Sequence, residues 1–151
     1  MPYHTGTVSA NHTDYGDCQY RYMENLWGNV FDFCDGIYFN DTDIYVIKNP
    51  ANFSDTTGGT KVGTRPNSGG YISALAKSAV TGFDWFYYPS AVAGSDSTYI
   101  PDYCYYDASG VVLCVGGYYS QSPSCGLFYL FGNIAATYKY AYRGSRLQYL
   151  P

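Results

Sequence analysis

The chain has 151 residues and a net charge of −4, the size of one ordinary domain. Its eight Lys and Arg are scattered, which argues against nucleic acid, because duplex binders gather their cations into a patch or stripe. No stretch is apolar over the length of a membrane helix, so membrane insertion is not expected.

Residues 1–20 are polar and read as an extended lead-in. Met1 to Thr7 have neither the basic nor the apolar region of a signal peptide, so export or display would come from a larger particle or from other residues. Tyr22, Met23, Leu26 and Trp27 suggest a short helical turn, and the apolar run from Val30 to Phe39 reads as strand, punctuated by Gly28 and Gly36. Asp41 to Asp43 is a turn signal, followed by a strand over Ile44 to Ile47. Residues 48–70 are rich in Gly, Pro and Asn and read as loop. Tyr71 to Ser78 suits one short helix, and Phe83 to Tyr88 an aromatic strand or loop ended by Pro89.

Two β-prone runs flank Asp107-Ala108-Ser109-Gly110. A type I turn with Gly110 left-handed would close a hairpin over Tyr103 to Gly116 and set Cys104 opposite Cys114. Gly126 to Leu130 reads as a buried strand, residues 131–143 alternate small and aromatic side chains, and Gly144 to Leu150 reads as a final strand. There is neither an internal repeat nor a domain boundary, so residues 1–151 are expected to form a single domain. Glu24 is the sole Glu, and so few surface helix formers predict a mixed α+β unit with few helices.

Catalytic residue types are sparse. His4 and His12 fall in the polar lead-in, and Asp32 and Asp35 would face opposite sides of a strand. Five Cys without a C-x-x-C pair argue against a zinc site or a full disulfide framework. In apolar contexts they behave as small core residues, and free thiols are expected. We therefore expect no enzyme activity, no catalytic residue, no metal and no cofactor.

The twenty Tyr are the informative feature, because Tyr offers large rigid contact area with a polar tip. About half can be assigned to half-buried strand faces. Tyr138, Tyr140 and Tyr142 lie at every second position and would line one face of an extended segment. Between Tyr118 and Arg143 aromatics alternate with Ser, Gly, Ala and Asn, a chemistry like that of an antibody paratope.

Gly28-Asn29-Val30-Phe31-Asp32-Phe33 resembles the G-N-V-W-E-W motif of the formylglycine-generating-enzyme branch of C-type lectin folds, with Phe, Asp and Phe where Trp, Glu and Trp are usual. Gly116-Gly117-Tyr118-Tyr119 and Gly144-Ser145-Arg146-Leu147 resemble the ending of that branch. The ending is more similar still to the variable proteins of diversity-generating retroelements, whose C-terminal cassette is rewritten by mutation of template adenines. They include phage receptor-binding proteins of the tropism-determinant kind and some bacterial surface proteins.

This resemblance implies a C-type lectin fold of small antiparallel sheets, few short helices and long irregular loops, with a hypervariable cassette over about 116–151. Gly126 to Leu130 and Gly144 to Leu147 would be fixed scaffold. Tyr118, Ser120, Phe131, Ile134, Tyr138, Tyr140 and Tyr142 would stand where the template encodes Asn, whereas Gln121 and Lys139 require another codon. The implied ligand-binding set is Tyr118, Tyr119, Ser120, Gln121, Ser122, Ser124, Phe131, Ile134, Tyr138, Lys139, Tyr140 and Tyr142. Leu127, Phe128, Leu130 and Leu147 would lie beneath it. The implied partner is a host cell-surface protein or glycan, met from a phage tail or from a bacterial cell surface, with a homo-oligomer such as a trimer inside a larger particle. Two rival readings are a formylglycine-generating-enzyme-like oxidase, for which Cys114 and Cys125 are the candidate pair, and a calcium-dependent sugar-binding lectin, whose Glu-Pro-Asn and Trp-Asn-Asp signatures do not occur.

Overall fold

A computed structural model describes residues 19–20, 23–24, 27–98, 100–106, 111–121, 124 and 126–144. The polar lead-in before Gln19, the turn 107–110, Ser122, Cys125 and the end from Ser145, including Leu147, lie outside the described residues.

The strands are β1 (Gln19–Tyr20), β2 (Met23–Glu24), β3 (Phe31–Asn40), β4 (Asp43–Val46), β5 (Thr60–Thr64) and β6 (Gly70–Tyr71). They continue with β7 (Ala74–Lys77), β8 (Tyr87–Ala91), β9 (Tyr103–Tyr106), β10 (Val112–Val115), β11 (Leu130–Ile134) and β12 (Arg143–Gly144). No α-helix occurs among the described residues, so the expected α+β mixture gives way to a β-rich architecture. Pro50–Asn52 forms a 3-10 turn, opened by the Asn49 side chain accepting from Ala51 N at 3.1 Å.

The main sheet runs β5-β4-β3-β10-β11-β9-β6, and β12 also pairs with β3; β1-β2 and β7-β8 are separate two-stranded ribbons. The sheet is mixed rather than antiparallel throughout, because β11 pairs with β9 in parallel and β12 pairs with β3 in parallel. β3 is long enough to hold two partners in succession: Phe31 and Asp32 pair with β12, and Ile37 to Asn40 pair with β4. Gly36, at φ +78, bends it, and a Cβ there would meet the Phe53 ring at 2.5 Å. That left-handed conformation costs little only for glycine, and it resets the register between β3 and β10 as a bulge does.

The β3–β4 turn forms where Asp41 to Asp43 predicts it, with Asp41 itself at φ 54, a conformation that Asp tolerates better than most residues. Other local expectations fail. Residues 48–70 contain β5, and Met23–Glu24 is a strand where a helical turn is expected. The segment Tyr71 to Ser78 holds the end of β6 and all of β7 rather than a helix. So short a helix nucleates poorly, and pairing with β8 takes up its backbone groups instead. Pro89 is tolerated inside β8 because the ribbon has only two strands and Pro89 lies at its register shift.

The hairpin expected over Tyr103 to Gly116 does not form. β11 inserts between β9 and β10, with Leu130 opposite Cys104 and Phe131 opposite Cys114. Two strand spacings, about 10 Å, therefore separate the cysteines, beyond reach of a disulfide. Cys34, Cys104 and Cys114 are free thiols.

Successive side chains of β10 point to opposite faces and feed two cores. Leu113 joins Phe39, Ile44, Val46, Val62, Ile72 and Phe83 on one side. Val112 and Cys114 join Phe31, Tyr129 and Ile134 on the other. This second core underlies the tyrosine-rich segment.

Candidate functional site

Three segments distant in sequence meet at the start of β3. Gly28 N donates to Gly116 O at 2.8 Å, Tyr119 N to Asn29 O at 3.2 Å, and Phe31 N to Tyr142 O at 2.8 Å. The stretch Gly28 to Phe33, the Gly116-Gly117 pair and the approach to Gly144 are thus joined through backbone bonds. Tyr138 N donates to Ala135 O at 3.1 Å and Arg143 N to Tyr140 O at 3.2 Å, which fixes the path of 135–143 by main-chain contacts.

On this frame the aromatic rings form one continuous row. Tyr138 and Tyr140 stack at 5.8 Å and 18°, Tyr140 and Tyr142 at 5.2 Å and 17°, and Tyr142 and Tyr118 at 4.4 Å and 20°. Tyr118 then meets Phe31 at 5.2 Å, and Phe31 meets Phe131 at 4.9 Å. Phe131 in turn stacks on Tyr105 at 5.5 Å. The row is exposed at both ends and buried in the middle: Tyr138 and Tyr140 are 48% and 49% exposed, Tyr142, Tyr118 and Phe131 are half-buried on either side of the buried Phe31, and Tyr105 is 38% exposed. The every-second-residue spacing of Tyr138, Tyr140 and Tyr142 does place them on one face, although this segment has no ladder pairing.

The other expected contact residues divide. Tyr119 and Ser120 are exposed in the turn after Gly117. Gln121 and Ser124 are half-buried and brace that turn: Gln121 Nε2 donates to the Tyr129 hydroxyl at 2.6 Å, and Ser124 Oγ donates to Gln121 O at 2.8 Å. Lys139 is exposed and lines a shallow cleft of about 340 Å³ with Thr137, Tyr138 and Tyr140.

Ile134 is a correction. At 3% exposure it closes β11 opposite Val112 and belongs to the core. Leu127 and Phe128 are the reverse correction, being 56% and 59% exposed rather than beneath the surface. Asp102 accounts for this, because its carboxylate accepts from Phe128 N at 2.6 Å and holds 126–129 as a turn. The turn directs Tyr129 inward and the two preceding side chains outward. A Cβ on Gly126 would overlap the Asp102 carboxylate, so any larger residue there must displace it. Burial raises the Asp102 pKa, and the Phe128 amide opposes that rise.

Arg143 went unnoticed in the sequence. Its guanidinium lies 4.9 Å from the Tyr140 ring centre, 5.5 Å from those of Tyr138 and Tyr142, and 5.7 Å from that of Phe131. Contacts of this kind are worth from about 0.5 to 2 kcal/mol according to desolvation. Its Nε and Nη1 are buried and have no hydrogen-bond partner among the described residues. The available signal was the distribution of charge: residues 116–151 hold three of the eight Lys and Arg and none of the twelve Asp and Glu.

The three described thiols are buried or half-buried rather than activated. Burial pushes Cys104 and Cys114 up to about 12 and Cys34 up to about 11, whereas a reactive thiol requires the opposite shift. Among the described residues no three of His, Cys, Asp and Glu group as metal ligands. No helix of the described residues is long and apolar enough to cross a membrane. A separate opening of about 500 Å³ lies beside Trp85, Lys48 and Asp35. Its Trp85 indole N–H and Lys48 ammonium both donate to Gly82 O.

No protein-family model, curated protein or solved structure matches the chain.

Proposed function

We propose that the chain is a non-enzymatic ligand-binding domain of the C-type lectin type, diversified as a retroelement variable protein, which attaches a phage tail to its host. The partner is a host cell-surface protein or glycan, and display on a bacterial surface is the alternative setting. A homo-oligomer, such as a trimer within a larger particle, fits the same reading.

The observation that carries it is the aromatic row. Four of the rings that a template would rewrite, Tyr138, Tyr140, Tyr142 and Tyr118, extend outward from the buried Phe31 and Tyr129 to solvent, on backbone held by main-chain bonds. A half-exposed cluster of large rigid aromatics marks a binding surface more often than a solvated one. The meeting of Gly28 to Phe33 with Gly116 to Tyr119 also supports the lectin-type arrangement, because these stretches carry the resemblance. The oxidase reading is disfavoured by Cys114, which is fully buried and held as a thiol.

Sequencing the DNA that flanks the coding region tests the proposal. A near-identical repeat of the segment encoding 116–151, differing mainly at template adenines and lying beside a reverse transcriptase gene, is the expected result. A locus with neither would overturn the retroelement assignment.

A further inference from the structure

The segment that supplies most of the proposed ligand surface carries a charge opposite to that of the rest of the chain. Residues 116–151 contain Lys139, Arg143 and Arg146 and no acid, whereas residues 1–115 hold five Lys and Arg against twelve Asp and Glu, a net −7. Arg143 sits within the aromatic row with two guanidinium nitrogens, Nε and Nη1, lacking acceptors among the described residues. Ring faces satisfy a cation's charge but not its directional donors. An arginine fork is the donor set that matches a carboxylate.

We infer that the partner is a protein presenting an acidic face to this surface, and that Arg143 receives one of its carboxylates while Lys139 adds long-range attraction. The inference rests on the ligand-binding reading above.

The arrangement of the rings favours a protein over an acidic sugar. Sugars pack their C–H faces on open ring faces, but Tyr138, Tyr140 and Tyr142 stack on one another within 18°. What they leave to a partner is mainly ring edges and phenol hydroxyls. The adjoining cleft of about 340 Å³ is shallow. A flat surface of Tyr with a central Arg is the composition of a protein-interface hot spot. Access to Nε and Nη1 requires the exposed Tyr138 or Tyr140 ring to swing aside, a side-chain motion available to half-exposed residues.

The test uses the full chain and the Arg143 Nε–Hε resonance, with hexaglutamate, neutral hexaglutamine and hexagalacturonate as probes. Hexaglutamate is expected to shift that resonance and hexaglutamine to leave it in place. R143Q and K139Q should each weaken hexaglutamate binding, R143Q by at least about tenfold, since truncating a buried charge contact costs more than a rim charge. Salt should weaken binding as well. K139Q alters an exposed residue and keeps the comparison open if R143Q does not fold. An unmoved resonance, or wild-type binding by R143Q, overturns the inference. Tighter binding of hexagalacturonate than of hexaglutamate overturns the choice of a protein and indicates an acidic glycan. If Y138A/Y140A binds hexaglutamate as tightly as wild type while R143Q does not, the carboxylate site stands and the tyrosine surface fails.

Discussion

The buried ring of Phe31 lies 5.2 Å from that of Tyr118, and through Tyr142 and Tyr140 this contact reaches the exposed Tyr138. One residue of the sheet thus supports a surface that extends well beyond it. Truncating the support and truncating the surface should have different effects. Phe31→Ala is expected to cost about 3–5 kcal/mol, the range for large buried aromatics. Tyr138→Ala and Tyr140→Ala should each cost about 1 kcal/mol or less, since they lose mainly a ring stack. Urea denaturation of the three variants checks this, and equal losses would show that the row is part of the core.

Leu127 and Phe128 provide a second comparison. Both face solvent, so alanine at either position should leave the melting temperature nearly unchanged, as surface substitutions usually do. Tyr129→Ala, by contrast, removes a buried ring and the acceptor of the Gln121 amide. A thermal melt in which Leu127→Ala is as damaging as Tyr129→Ala would contradict the placement of this turn.

Asp102 predicts a pH dependence. Its folded pKa is raised, so between the ordinary carboxylate value near about 4 and the raised value the folded chain binds more protons than the unfolded one. Its contribution to stability is therefore complete at acid pH and declines as pH rises through that window. Asp102→Asn should remove this decline while keeping an acceptor for the Phe128 amide. Gly126→Ala should destabilise at every pH, because its methyl would displace the same carboxylate. Stability curves that decline with pH equally in wild type and Asp102→Asn would rule out Asp102 as the source.

The Cys104 and Cys114 thiols should be inert while the chain is folded. Cys104 and Cys114 are fully buried and their thiols are held near about 12. Alkylation at mildly alkaline pH, followed by mass spectrometry, should modify these two only when denaturant is added. Rapid labelling of the native chain at Cys114 would revive the oxidase reading.

Sequence reasoning reached features set by near neighbours. Asp41 to Asp43 marked its turn, the scarcity of helix formers marked a chain with few helices, and the spacing of Tyr138, Tyr140 and Tyr142 marked a shared face. It failed where a distant partner decides. The run Gly126 to Leu130 reads as a buried strand until Asp102, far upstream, accepts from Phe128 N and turns it. Tyr103 to Gly116 reads as a hairpin until β11 enters between its arms. Arg143 left a trace only in the distribution of charge, and its aromatic surroundings require the folded chain.

The segment 135–143 is held through backbone groups, from Tyr138 N to Ala135 O and from Phe31 N to Tyr142 O. None of those bonds depends on which side chain stands at 138, 139 or 140. Chain path and recognition chemistry are therefore inherited separately: a change of residue alters what is presented without altering where it is presented. If the chain is diversified as proposed, changes at 138 to 140 would vary specificity at nearly constant foldedness, whereas a polar residue at the buried Phe31 or Ile134 would cost stability.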